Sequence, residues 1–223
     1  MDKLHRIRML LGDAAVAKLQ QSTVMVVGCG AVGSFAIEAL ARSGVNRLIL
    51  IDFDVIEPSN INRQLFATTS TVGQPKVDVA SARVRDINPD IQVTAINAFF
   101  DENTHLDITP DFVIDAIDTV PSKIALYRWC GAHNIPFISS MGAARKRDLS
   151  KIRIGTIRRT TVCPLAAKIR KIVRDSNIPD FPVVYSTEPA DANVSGRAFG
   201  SIITVTGAFG LYMADYVIEQ LVK

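Results

Sequence analysis

The segment from Thr23 to Gly44, TVMVVGCGAVGSFAIEALARSG, constrains the fold more than any other. A short β-rich run enters a turn carrying Gly28, Gly30 and Gly33, and a helical pattern leaves it. Glycine permits a tight turn and close approach of a phosphate to the backbone, while the helix that follows offers free N–H groups and a positive dipole end. A GxGxxG run alone is a weak signal. Here Asp52 closes the next apolar run, RLILID, about twenty residues on, where a carboxylate accepts hydrogen bonds from ribose hydroxyls. Together they predict a nucleotide site rather than a merely tight turn.

The pattern then repeats. IQVTAI and FVIDAID read, like RLILID, as strands covered on both faces, and IPFISSM supplies another. Helical segments over 75–86 and 121–133 alternate with them, each opening on a proline. Residues 3–19 form an amphipathic helical pattern with a break at Gly12. After Gly142 the alternation changes. KIRIGTIRR reads as an exposed or edge strand, PLAAKIRKIVR as a basic helix, 177–196 as a loop, and the stretch from Ser201 to Ile218 as a buried C-terminal helix. The expected fold is α/β, Rossmann-like and doubly wound, with a mainly parallel sheet and a C-terminal strand and helix elaboration. The expected organisation is one domain over 1–223, with a nucleotide-binding core over 1–142 and a basic crossover region and C-terminal helix over 143–223.

Composition excludes several classes. The apolar stretch at 201–218 is interrupted by Thr204, Thr206, Gly207, Gly210 and Asp215, so a membrane span is not expected. The first twenty residues lack the uninterrupted apolar core of a signal peptide, and a cytoplasmic location is expected. Cys29, Cys130 and Cys163 form no CxxC pair, which argues against a zinc ribbon or a disulfide framework and fits a reducing compartment. The formal charge of +3 conceals segregation: between Arg145 and Arg174 stand eleven Lys and Arg and one acid, Asp148. Such a stretch is either a solvated face or a binding field for a polyanion.

The loop DFDVIEPSNINRQLF, residues 52–66, points away from hydride transfer. A dinucleotide redox site does not call for Asn60, Asn62, Arg63 and Gln64 so close to the adenosine end, whereas a triphosphate does. Arg63 pairs with phosphate oxygens through its planar fork, and asparagine amides hold the same oxygens or a metal-bound water. Lys76, just inside the helix after Pro75, adds a second positive charge, and Asp118 in DAID is placed to hold a Mg²⁺ on the phosphates.

GCGAVG, DFDVIEPSNINRQ, the lysine of VGQPKVD, and DAID resemble the adenylating domain of the ubiquitin-activating-like enzymes over about residues 3–142. Within that group, PLAAKIRK and STE (Ser186 to Glu188) look most like the branch that dehydrates N6-threonylcarbamoyladenosine at position 37 of tRNA. The resemblance implies ATP and Mg²⁺ as cofactors, with Arg63, Lys76 and Asp118 catalytic and Asp118 also the metal ligand. It implies that Gly28, Gly30, Gly33, Asp52, Asp54, Asn60 and Gln64 bind the nucleotide. It further implies a homodimer in which Arg6 or Arg8 reaches the partner's ATP, a tRNA substrate on the basic region from Arg145 to Arg174, and sulfur-transfer protein partners.

The absence of two CxxC zinc pairs argues against the sulfur-carrier-activating branch, although adenylation of the C-terminus of a ubiquitin-like or sulfur-carrier protein stays as the alternative. SGRAFGS places no cysteine before the C-terminal helix, Cys163 reads as an incidental loop thiol, and the chain is short around 177–196. An NAD-binding dehydrogenase and a noncatalytic ATP-holding scaffold are the remaining alternatives.

Overall fold

The computed structural model describes residues 2–189 and 200–223. Two helices, α1 (His5–Leu11) and α2 (Asp13–Gln21), come first and meet at Gly12, whose φ of 85° breaks the helical path. The first βαβ unit is β1 (Thr23–Val27), α3 (Gly33–Arg42) and β2 (Arg47–Asp52). Next come α4 (Lys76–Ile87), β3 (Gln92–Asn97), β4 (Phe112–Asp115), α5 (Val120–His133) and β5 (Phe137–Ser140). The last elements are β6 (Ile152–Thr156), α6 (Pro164–Asp175), β7 (Pro182–Ser186) and α7 (Ile203–Val222).

The seven strands form one sheet in the order β3-β2-β1-β4-β5-β7-β6, parallel throughout except for β6 against β7. Strand order reverses between β1 and β4, the switch point at which doubly wound folds open a crevice. The register sets Val27 beside both Ile51 and Asp115, and Asp115 beside Ser139, so these strand ends share one carboxyl edge. β1 and β4 are buried along their whole length because helices cover both faces, which is why they read as unbroken apolar runs.

Helix α7 lies on α3. Val205, Phe209, Met213 and Val217, four residues apart, are fully buried, and each contributes up to about 1.5–3 kcal/mol. Gly207 and Gly210 allow the close approach: a Cβ on Gly210 would lie 2.3 Å from the Val32 carbonyl oxygen. The C-terminal helix thereby braces the start of α3, the end that faces the crevice. Among the described residues no helix is long and apolar enough to cross a membrane.

Several boundaries differ from expectation. β3 is an outer strand with a largely exposed side-chain pattern, not a strand buried on both faces. β4 stops at Asp115, so Asp118 sits in the following loop rather than at the strand end. Helix α4 begins at Lys76, with Pro75 as its cap. The expected loop over 177–196 contains β7, which pairs with β5 on one side and β6 on the other. Residues 190–199, which hold the remainder of that loop and most of SGRAFGS, lie outside the described residues.

Candidate functional site

A cavity of about 520 Å³ opens at the switch point. Its floor is the glycine turn, and the three glycines are required for different reasons. Gly28 has φ of 97°, and a Cβ there would meet the Ala116 carbonyl oxygen at 2.6 Å. Gly33 packs on the turn itself, where a Cβ would stand 1.7 Å from the Gly28 carbonyl oxygen. Gly30 is the open one: its added Cβ would meet only the Gln64 amide, at 3.6 Å. Gly28 and Gly30 line the cavity and Gly33 does not. Gly33, expected to approach phosphate, packs against the Gly28 backbone, so any contact it makes with a phosphate is through its own backbone.

Two strand-final aspartates turn the chain outward by the same device. Asp52 Oδ1 accepts the Asp54 N–H at 2.9 Å, and Asp115 Oδ1 accepts the Ile117 N–H at 3.0 Å. Such i to i+2 bonds offer the backbone an alternative to the sheet ladder and end the strand. Asp52 Oδ2 also accepts the Cys29 N–H at 2.7 Å, which joins the tip of β2 to the glycine turn. Burial pushes the Asp52 carboxyl above its ordinary value, while the two N–H donors and the nearby Lys76 charge pull the other way. Cys29 is buried, and burial together with the Asp52 charge pushes its thiol well above the ordinary value.

Among aromatic and apolar residues such as Phe53, Phe99, Phe100 and Leu165, the cavity wall carries a group of charged and polar side chains. Lys76, at the first turn of α4, is buried and donates to Asp54 Oδ2 at 2.6 Å. Arg63 is held by the Ser59 carbonyl at 2.7 Å and the Asn62 amide oxygen at 3.0 Å. Gln64 is buried over Gly30, and Asp118, exposed at the mouth, makes no hydrogen bond or ion pair among the described residues. Asp52, Asp54, Arg63, Gln64, Lys76 and Asp118 all line the one cavity.

Asn60, expected to hold phosphate or a metal-bound water, does not line it. It is buried, and its amide oxygen accepts the Glu57 N–H at 3.2 Å in the capping box of the Pro58–Asn60 turn. That turn presents Arg63 and Gln64, whose N–H groups both bond the Asn60 carbonyl. The amide is spent on the loop's shape.

A model of the ThiF family matches residues 4–223. The chain belongs to the ThiF family. Among proteins to which it is similar, the tRNA threonylcarbamoyladenosine dehydratase of Bacillus subtilis (strain 168) is 45% identical over 192 residues, 84% of this chain and 76% of that protein. The dehydratase of Haemophilus influenzae (strain ATCC 51907 / DSM 11121 / KW20 / Rd) is 37% identical over 94% of this chain and 89% of its own length. The solved structure of the E. coli tRNA N6-threonylcarbamoyladenosine dehydratase in complex with ATP superposes with a TM-score of 0.92 at 32% identity, covering 98% of this chain and 93% of that one.

Beneath the cavity of this ThiF-family chain lies a charged network that the sequence pattern did not reveal. Lys123 on α5 is fully buried, as is Asp115. Its ammonium donates to Asp115 Oδ2 at 2.7 Å, to the Ser140 carbonyl at 2.8 Å and to Ser139 Oγ at 3.2 Å. Ser139 Oγ in turn donates to Asp115 Oδ2 at 2.5 Å and meets Tyr127 Oη at 2.7 Å. Burial and the Asp115 charge push the Tyr127 hydroxyl well above its ordinary value, which keeps it a neutral partner. The available signal was a lysine among Ile124, Leu126, Tyr127 and Cys130 on a helix following DAID.

The STE segment closes the other side. Glu188 accepts the backbone N–H groups of Arg147 and Asp148, both at 2.9 Å, and its carbonyl receives the Lys146 ammonium. This clamp fixes the start of the basic stretch next to Ala143 and Ala144, which line the cavity. Cys163, the cap of α6, is buried against Gly142 rather than open to a substrate. Within the basic stretch Lys146 is buried. The concentrated part of the stretch is a concavity of about 670 Å³ lined by Arg158, Arg170, Lys171 and Arg174.

Proposed function

We propose that this ThiF-family chain is an ATP-dependent tRNA threonylcarbamoyladenosine dehydratase, a ligase-type, adenylate-forming enzyme that cyclises N6-threonylcarbamoyladenosine at position 37. The observation that carries this reading is the convergence of Arg63, Gln64, Lys76 and Asp118 on the switch-point cavity of a chain similar to dehydratases along most of its length. ATP is the co-substrate the cavity takes. Gly28 and Gly30 leave room for its phosphates, the start of α3 contributes N–H groups, and Asp52 and Asp54 accept from the ribose.

The side-chain carboxylate of the modified nucleoside attacks the α-phosphorus, the bond to the β-phosphate breaks, and pyrophosphate leaves. Arg63 and Lys76 stabilise the charge that develops on the phosphates, while Gln64 holds them over Gly30. A nitrogen of the same nucleoside side chain then attacks the activated carbonyl, loses its proton and expels AMP. The ring closes with net loss of one water, and no protein thiol is needed.

Mg²⁺ bound to the triphosphate would neutralise its charge. Asp118 fits such an ion: it is an exposed hard oxygen donor with no partner among the described residues, and magnesium on nucleotides is held by one or two carboxylates with the phosphates supplying the rest. No cluster of three metal-ligating side chains occurs among the described residues, in keeping with that mode.

Purified protein with ATP, Mg²⁺ and threonylcarbamoyl-modified tRNA is expected to release AMP and lower the mass of the position-37 nucleoside by about one water. ATP turnover that needs a carrier protein and ignores tRNA would replace this reading with carrier adenylation.

The tRNA backbone is proposed to follow α6. Leu165 lines the nucleotide cavity and Arg174 the basic concavity, a span of about 14 Å along a helix at 1.5 Å per residue. Arg158→Ala and Lys171→Ala are each expected to weaken tRNA binding and reduce its logarithmic salt slope by about 0.7–0.9, with kcat at saturating tRNA unchanged. Filter binding across a salt series measures this; an unaltered slope removes the concavity from the tRNA path.

A homodimer supplying Arg6 completes the reading. Arg8 is held within its own chain by Asp2 at 3.1 Å and Asp13 at 2.9 Å, whereas Arg6 is exposed and makes no ion pair among the described residues. A cytoplasmic location, with access to tRNA and to sulfur-transfer protein partners, belongs to the same reading.

A further inference from the structure

We propose that Lys123 is a positioning residue for the adenylation site, acting through two strand ends rather than on the nucleotide. The inference rests on the reading above that Asp118 serves the ATP chemistry. Among the described residues the Asp118 side chain has no hydrogen-bond or ion-pair partner, so its place follows from the turn from Asp115 to Thr119. One oxygen of Asp115 captures the Ile117 N–H and shapes that turn; the other is gripped by Lys123 and Ser139. The same ammonium bonds the Ser140 carbonyl, and Ser140, Met141 and Gly142 line the opposite wall of the cavity. A single buried cation therefore sets the spacing between the loop after β4 and the loop after β5.

Hydrophobic packing alone would have filled this place with less penalty, since two charges must leave water to form a buried pair. What the pair adds is direction. Ammonium donors fix the carboxylate rotamer, which a leucine or methionine at the same place could not do. Neither Lys123 nor Asp115 lines the cavity, so neither touches the nucleotide.

The test compares three proteins with wild type: Asp118→Asn as the reference for a lost cavity group, Lys123→Met, and the double variant Lys123→Met with Asp115→Asn. The single variant leaves a buried unpaired carboxylate and is expected to fold poorly. The double variant removes both charges, keeps an oxygen for the Ile117 N–H, and is expected to fold. For the folded double variant the expected result is a KM for ATP close to wild type and a kcat for AMP release lower by about 10- to 100-fold. Amide exchange over 116–119 is expected to quicken while exchange in β1 is unchanged. A double variant with wild-type kcat and wild-type exchange at 116–119 overturns the proposal, as does loss of activity only in proportion to loss of folded protein. If wild type binds ATP but releases no AMP with modified tRNA, the dehydratase reading has failed. Exchange at 116–119 then still decides the positioning role by itself.

Discussion

Gly33→Ala is expected to destabilise the protein by about 3 kcal/mol and to abolish measurable ATP binding, because its new methyl has nowhere to go. The Cβ would stand 1.7 Å from the Gly28 carbonyl oxygen and 3.3 Å from the Ala116 Cβ. The nearer neighbour is backbone, so no side-chain rotation relieves the clash. Either α3 withdraws from the turn or the turn opens, and both movements take the helix N-terminus away from the phosphates. α3 is also pressed from behind by α7 through Gly210, which limits its retreat. Gly30→Ala is the matched control. Its methyl meets only the flexible Gln64 amide at 3.6 Å, so its melting temperature should stay near wild type while ATP affinity falls through crowding of the phosphates. Thermal denaturation and calorimetric titration with ATP separate the two. A Gly33→Ala protein with wild-type melting and ATP binding would show that the turn does not hold the packed geometry described here.

How far the chain was legible follows from which forces are local. The runs in β1, β2 and β4 were readable because burial on both faces leaves an apolar signature in consecutive residues. β3 has a similar local run yet lies at the sheet edge, and strand order is a property of the whole chain that no window of ten residues contains. β7 carries little local signal, because its five residues sit between turn-forming residues and their apolar character is outweighed by the Pro, Asp, Asn and Gly around them. The polar site was legible in a similar, partial way. Asp52, Arg63, Lys76 and Asp118 could be found as charged groups following strand-like runs, and the fold brings them to one cavity. Asn60 looked the same in sequence, but its amide closes a turn three residues long, a use that depends on backbone shape. Lys123 is the least legible of these residues, since a lysine on a helix ordinarily reads as solvated. Only β4 and β5, brought side by side by pairing of Asp115 with Ser139, place its partners within reach.

Asp118→Asn is expected to lower kcat for AMP release by about 10²- to 10³-fold, about 2.7–4 kcal/mol of transition-state stabilisation, on the scale of losing a single preorganised electrostatic group. The protein itself should not notice the change. Asp118 makes no bond within the described chain, and an exposed substitution of this kind shifts stability by no more than about 0.5 kcal/mol. Lys76→Met supplies the contrast, because Lys76 is buried and paired with Asp54 at 2.6 Å. Its loss removes a cavity charge proposed to face the phosphates and also frees Asp54, so kcat, ATP affinity and melting temperature should fall together. Steady-state kinetics at varied ATP and Mg²⁺, read beside thermal denaturation, distinguish the two patterns. If Asp118→Asn loses stability as Lys76→Met does, the loop after β4 is held by contacts of Asp118 itself. If it keeps full activity, the proposed Mg²⁺ and the developing charge must be served by other groups of the cavity. The separation of the two outcomes is physical: Lys76 is both a strut and a charge, while Asp118 is a charge alone, held in place from below by Asp115.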